Sequence, residues 1–348
     1  MKRTSKVPLS TQVKNKVNKP IKKKPELDGN TEIMISTGST LLDLAISGGR
    51  VRGGGIPGGI MFEAFGPSSS GKTVLLSEVA GAIQRQGGDI QFNDPEARLN
   101  KQFAQLFDLN TDDLTVYEPD TITEVFTNIR NWEPKGKAGI HGIMTDSLAA
   151  LSTNLEMDNV DGDKMGMRRG KEFSEGFRKN ARLLKQNNYI MGCSNQIRDN
   201  ASTGPGEKFT VPGGKAIGFY ASLRLRFYKP EKIPRIKTVQ GKEVKKIIGI
   251  KVRVEVYKSS VDAPYRDASL YIIFDYGIDD VRANLQYIKD FTKNTIYSVG
   301  ESLLDKSIEK SILVVEEESL ENELKEQVID LWEEIQSKFE IERKPKKR

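Results

Sequence analysis

Between residues 60 and 194 the chain alternates short apolar runs with longer stretches of helical period. Residues 60–65 read as an apolar strand, 66–73 as a loop and 74–86 as a helix. The same unit recurs: strand 89–92 then helix 97–107, strand 114–117 then helix 122–132, strand 139–145 then helix 171–186, and strand 189–194. In helix 97–107, Leu99, Phe103, Leu106 and Phe107 fall on one side. Strands separated by helices predict parallel βαβ units and a sheet covered on both faces. Ahead of this block, Leu41, Leu42, Leu44, Ala45 and Ile46 form a short helix after a Ser/Thr/Gly turn, and residues 50–59 make a Gly-rich loop.

The rhythm then changes. Segments 222–228, 247–257 and 270–274 read as strands with no helix between them, and 237–246 reads as a polar hairpin tip. An antiparallel extension of the sheet accounts for this. From Val281 the period is helical again, ending in one long amphipathic stretch over 316–339. The expected fold is α/β: a mostly parallel central sheet with helices on both faces, an antiparallel extension and a small helical C-terminal segment. The expected organisation is a tail over 1–30, a core over 31–278, a helical region over 279–342 and a second tail over 343–348.

Charge refines that division. Residues 1–24 carry nine Lys/Arg and no acid, and 343–348 carry five more; removing these fourteen from the net +6 leaves −8 for the body. The basic ends would attract nucleic acid electrostatically or serve as solvated tails. The Lys-, Asn- and Pro-rich residues 1–30 have the composition of disorder. No apolar run is long enough to span a membrane, and residues 1–24 lack the apolar core of a signal peptide, so a cytoplasmic protein is expected. Cys193 is the only cysteine and His141 the only histidine, which excludes an intrachain disulfide and a His/Cys zinc site. Cys193 is expected as a small buried residue, His141 at a strand edge on the surface, and Trp132 and Trp332 in packing.

The chemistry concentrates at Gly66-Pro67-Ser68-Ser69-Ser70-Gly71-Lys72-Thr73, which fits G-x-x-x-x-G-K-[ST] between a strand and a helix. Such a loop turns backbone N–H groups onto phosphate oxygens, with the dipole of the following helix behind them. Lys72 would reach the β- and γ-phosphates, and the Thr73 hydroxyl would ligate Mg²⁺. Asp146, at the end of strand 139–145, would hold the metal shell with Thr73. Glu96, after the second strand, would polarise the attacking water or act as a helix N-terminal acid.

Together these residues resemble the RecA family of bacteria and their phages, from about residue 35 to 277. Ile35-Ser36-Thr37-Gly38-Ser39 resembles its entry segment, and Glu63-Ala64-Phe65-Gly66-Pro67 leads into its phosphate loop. Asp94-Pro95-Glu96-Ala97 falls at its catalytic glutamate, Pro119-Asp120-Thr121 at its adenine-contacting segment, and Asp146 to Leu151 at its metal-binding strand end. Asn195-Gln196-Ile197-Arg198, followed by Gly213-Gly214 and Phe219 to Leu225, is the most specific block. The resemblance implies Glu96 as base, Asp120 on the adenine, and Gln196 as a strand-tip amide that senses the γ-phosphate. It implies two DNA-contacting loops, about 157–170 and 199–212. Arg168, Arg169 and Lys171 would meet backbone phosphates there, and Arg198, Lys208, Phe209, Gly213 and Gly214 complete the DNA-binding set, with Phe209 and Val211 wedging between bases. Lys258 would act across a subunit boundary on the neighbour's nucleotide. Phe219 would sit in a subunit interface or in the core.

Ser260 stands where the family has a second lysine, both tails are basic where the family has a docking helix and an acidic end, and Asp275 and Tyr276 depart from its nucleotide-flanking residues. The function implied is an ATP- and Mg²⁺-using, DNA-dependent ATPase. It would assemble as a filament on single-stranded DNA and pair it with duplex DNA in recombination and repair, in the cytoplasm (the bacterial host's if phage-encoded). The alternatives are a slowly hydrolysing, nucleotide-switched single-stranded-DNA-binding protein, which Ser260 favours, and a helicase or motor on the same core, which the 195–198 block opposes.

Overall fold

The computed structural model describes residues 32–99, 107, 109–136, 138–157, 165–199, 209–292, 294–339 and 342–343. The strands of the main sheet are β1 (Met61–Gly66), β2 (Ile90–Asn93), β3 (Leu114–Tyr117), β4 (His141–Thr145), β5 (Tyr189–Gln196), β6 (Leu223–Phe227), β7 (Glu231–Val239), β8 (Lys242–Ser259), β9 (Asp267–Ile273) and β10 (Gly277–Ile278). Six of them run parallel in the order β6-β1-β5-β4-β2-β3. Beyond β6 the order continues β8-β9-β10, all antiparallel, with β7 also paired to β8. The expected parallel sheet with an antiparallel extension is what the chain forms.

The middle strands β1, β2, β4 and β5 are buried on both faces, and β1 and β4 have no exposed residue, whereas the edge strand β3 is only half-buried. One face is covered by α1 (Thr40–Ser47) and α2 (Lys72–Arg85). The other carries α3 (Ile122–Asn131), α4 (Met165–Gln186) and the short α5 (Lys215–Tyr220). A Thr121/Glu124 capping box starts α3, which buries Ile122, Val125, Phe126 and Ile129 beside Phe173 and Phe177 of α4. The C-terminal helices α6 (Asp280–Thr292), α7 (Ile308–Glu317) and α8 (Glu321–Ser337) add Ile288, Val315, Val328 and Trp332 to the cluster that holds Leu42, Ile46 and Val79.

Several elements differ from the sequence reading. The polar hairpin tip expected over 237–246 is present, but the strands run almost to its end: β7, not expected as a strand, and β8 stay paired up to a turn over Gln240 and Gly241. Both faces of this ribbon are exposed, so the alternation that marks a half-buried strand is missing from its sequence. The stretch 316–339 breaks after Glu317 into two helices, with Ser319 at positive φ, although no Gly or Pro announces the break. Helix 171–186 begins earlier, at Met165. Of the helix expected over 97–107, Ala97–Leu99 is irregular and most of the remainder lies outside the described residues, as do the tails over 1–30 and 344–348. His141 is a buried residue rather than a surface one. It is 6 % exposed, its Nδ1 accepts from the Asp89 N–H at 3.0 Å, and burial lowers its pKa. Trp132 and Trp332 pack as expected, and Cys193 is fully buried with its thiol pKa pushed up.

Candidate functional site

β1 ends at Gly66, and the chain loops through Pro67–Ser70 into α2. Gly71 is the N-cap residue, left-handed at φ +92°, and a Cβ there would lie 2.2 Å from Ile272 Cδ1. Only glycine meets both demands. With no side-chain cap, the first N–H groups of α2 face the loop. Lys72 curls back over it, its Nζ donating to the carbonyls of Pro67 (2.6 Å) and Gly66 (3.3 Å) and approaching Ser70 Oγ at 3.5 Å. Burial lowers the Lys72 pKa, while the charges of Asp146 and Glu96 act to raise it.

Those two carboxylates frame the far side. Asp146 follows β4, and its carboxylate accepts from the hydroxyls of Ser194 and Thr73. Burial raises its pKa against those hydrogen bonds. Glu96 accepts from Ser147 Oγ at 3.1 Å and pairs with Arg98 at 2.7 Å. Lys72, Thr73, Asp146 and Glu96 therefore lie together beside the loop. Ser194 and Ser147 were missed; they flank recognised positions, but a lone serine carries no signal of its own.

Behind the cradle lies a buried charge that the sequence reading did not use. Glu63, in the middle of β1, is 0 % exposed; it accepts from Arg224 Nε of β6 at 2.6 Å and from Asn195 Nδ2 of β5 at 3.0 Å. Asn195 Nδ2 also donates to the Pro212 carbonyl at 3.1 Å. A charged residue inside an apolar strand was the available clue. Gln196, at the tip of β5, stands opposite Gly66 in the ladder, and the Ile197 N–H donates to the Gly66 carbonyl. After it, Arg198–Asp199 pairs antiparallel with Phe209–Thr210.

The remaining candidates are scattered around this centre. Asp120 is exposed near the end of β3, at the far edge of the parallel sheet, with its N–H bonded to Glu124 at 2.8 Å. Arg169 points inward, donating to the Leu151 carbonyl and facing Glu156 at 3.6 Å, whereas Arg168 is half-buried and Lys171 exposed. Phe209 packs against Phe65 and Tyr257. Gly213 has φ +86°, and a Cβ there would strike Ile217 at 2.6 Å; Gly214 caps α5. Lys208 and most of the two loops lie outside the described residues, as does the side chain of Arg198. Lys258 Nζ donates to the carbonyls of Gly218, Phe219 and Ala221 at 2.8–3.0 Å, closing the C-terminal end of α5. Phe219 itself is 75 % exposed, so it is not a core residue. It borders a groove of about 540 Å³ lined by Met167, Gly170, Gly213 and Tyr220.

The donor set suits a nucleoside triphosphate with Mg²⁺. Gly71 gives the loop its left-handed turn into α2, Lys72 is buried beside it, and the buried Asp146 carboxylate accepts from the hydroxyls of Thr73 and Ser194. Among the described residues no group of three or more His, Cys, Asp and Glu side chains could hold a metal ion by itself. No described helix is long and apolar enough to cross a membrane.

A phosphate loop between β1 and α2 of a mostly parallel sheet defines a P-loop protein of the α/β class. The family model described as RecA N-terminal domain matches residues 9–279, and the chain belongs to the RecA family. It is 33 % identical over 295 residues to Protein RecA of Borrelia turicatae, covering 83 % of this chain and 78 % of the relative. It is 35 % identical over 248 residues to Protein RecA of Thermus thermophilus, 71 % and 69 % of the two chains, and 36 % identical over 244 residues to that of Borreliella afzelii, 70 % and 64 %.

Proposed function

We propose that this protein is an ATP-dependent DNA recombinase that assembles as a filament on single-stranded DNA and pairs it with homologous duplex. The observation that carries the reading is the register of β1 with β5: Gly66, the first residue of the cradle, is paired with Gln196, whose strand runs on into the Arg198–Asp199/Phe209–Thr210 pair. A group bound in the cradle acts directly on the strand tip that leads to the DNA-contacting segment. Residues 31–278 form the ATPase core in this reading, with 279–342 a helical region packed on it, and the protein works in the cytoplasm.

The N–H groups of residues 66–73 and the Lys72 ammonium bind and orient the phosphates. Lys72 exchanges its carbonyl partners for phosphate oxygens. Glu96, held by Ser147 and Arg98, accepts the proton of the attacking water. Gln196 donates its amide to the γ-phosphate and shifts when that group leaves. Asp120 contacts the adenine. Thr73 and Asp146 would hold Mg²⁺, which neutralises phosphate charge when bound. Arg168, Lys171 and Arg198 supply cations for the DNA backbone, with Lys208 and the backbones of Gly213 and Gly214 beside them. Arg169 is the weaker candidate because its guanidinium is already engaged.

Phe219 and the groove beside it give a second copy of the chain an apolar surface to bury, and Lys258 holds the helix end that presents it. The β7–β8 ribbon adds a basic face. Its register places Lys237, Lys242 and Lys246 with Val239 and Val244 on one side; Arg235, on the same side, is paired with Glu309 at 2.7 Å. Such a face favours nucleic acid electrostatically.

The second reading, a nucleotide switch with weak hydrolysis, is favoured by Ser260, whose N–H is bonded to the Ser222 carbonyl at 2.7 Å where the family has a cation. ATPase assays with and without single-stranded DNA, together with a strand-exchange assay, separate the two. A recombinase shows DNA-stimulated turnover and exchange; a switch shows binding alone; translocation without exchange indicates a motor. Lys72→Ala is expected to abolish ATP-dependent assembly. Glu96→Gln should keep ATP binding and lose turnover at least about 100-fold.

A further inference from the structure

Phe209 stands outside the cradle yet touches the strand that builds it. Its ring stacks on Phe65 with centroids 5.9 Å apart and planes at 30°. Phe65 is fully buried and immediately precedes Gly66. Tyr257 of β8 meets both rings, edge-on to Phe65 at 5.4 Å and to Phe209 at 6.4 Å. The Arg226 guanidinium lies 4.5 Å from the Phe209 centroid, and Arg224 lies 4.4 Å from that of Phe65. Phe209 is thus held by stacking, an edge contact and a cation. Through the ladder it holds Asp199, three residues beyond Gln196.

We propose that Phe209 is a positioning residue that ties Phe65, immediately before the phosphate cradle, to the strand pair beyond Gln196, so that nucleotide and DNA grip change together. This rests on the nucleotide-controlled DNA binding proposed above and assigns part of that control to one ring. Two routes then run from cradle to segment. One is the backbone of β5 through Gln196. The other crosses from Phe65 to Phe209 and returns to Asp199. With Phe209 held against Phe65 and paired with Asp199, both Asp199 and Phe209 follow a shift of the cradle strand. The ring's place against the sheet also speaks against its use as a wedge between bases, since wedging would require the whole stack to open.

The test is a coupling measurement. Fluorescence anisotropy with a labelled oligothymidylate gives DNA affinity with a non-hydrolysable ATP analogue and with ADP, for wild type, Phe209→Ala and Phe209→Leu. Allosteric coupling is ordinarily about 5- to 150-fold. The wild type is expected to show at least about tenfold tighter binding with the analogue. In Phe209→Ala that ratio should fall below about threefold, while affinity for the analogue without DNA stays within about twofold of wild type. Phe209→Leu, which keeps apolar bulk but loses the stack, should fall between and serves alone if the alanine variant does not fold. Equal weakening in both nucleotide states would make Phe209 a direct DNA contact and overturn the proposal, as would an unchanged ratio. A wild type without nucleotide dependence would sink the parent reading itself, and the proposal with it.

Discussion

Arg224→Leu probes the framework that joins β1, β5 and β6 behind the cradle. In the native chain the Glu63 carboxylate has no solvent exposure and two donors, Arg224 Nε at 2.6 Å and Asn195 Nδ2 at 3.0 Å. Removing the guanidinium leaves a buried carboxylate with one neutral donor. Breaking such a pair from one side costs about 3–5 kcal/mol. Loss of the cation above Phe65, 4.4 Å from its centroid, adds about 0.5–1 kcal/mol. Against a typical domain stability of about 5–15 kcal/mol, the variant should fold with a large fall in urea midpoint. Glu63→Leu combined with Arg224→Leu tests the cause. Asn195 keeps the Pro212 carbonyl, so no buried donor is orphaned, and the double variant should recover at least about 2 kcal/mol relative to Arg224→Leu alone. Equilibrium urea unfolding at pH 7 supplies both numbers. A loss below about 1 kcal/mol in the single variant, or no recovery in the double, would refute the view that an uncompensated charge is what hurts.

Stability should also depend on pH through the entry segment. Burial pushes both Asp43 and Glu78 up to about 7, above the ordinary range of carboxylic acids. A folded pKa above the unfolded one means that this stabilisation is complete in acid, falls as pH rises from about 4 towards 7, and is gone above that. The urea midpoint of wild type should therefore fall between pH 5 and 8, and Asp43→Asn should flatten the fall; parallel profiles would contradict it. The basic face of the β7–β8 ribbon gives a salt prediction. Replacing Lys237, Lys242 and Lys246 with alanine should lower the slope of log K against log salt for duplex DNA by about 0.9 for each phosphate no longer neutralised, without changing nucleotide affinity. An unaltered slope would remove the ribbon from the DNA interface.

Much of the fold is legible because its signals are local and redundant. The phosphate loop announces itself by type and spacing, and the apolar run of β1 ahead of it and the helix behind it say the same thing independently. The middle parallel strands read easily because burial on both faces makes them short, mostly apolar runs set between helical stretches. The hairpin at 237–246 was legible, but β7 and the first residues of β8 were not, since a strand exposed on both sides has no periodicity to detect. The break at Ser319 was invisible because α7 and α8 are both amphipathic and no helix breaker separates them. At the site, the groups proposed to meet phosphate belong to a motif, whereas those that hold them do not. Ser194, Ser147 and Arg224 are defined by neighbours far away in sequence, as is the Phe65–Phe209 stack. His141 was misplaced because one polar residue at a strand start gives no sign that a backbone N–H waits for it.

The account turns on a triphosphate in the cradle governing assembly on DNA. Electron microscopy of the protein with single-stranded DNA and a non-hydrolysable ATP analogue, beside matched grids of Lys72→Ala and of wild type without nucleotide, addresses it most directly. Regular helical filaments should form only with wild type and the analogue; filaments on all three grids, or on none, would contradict the account.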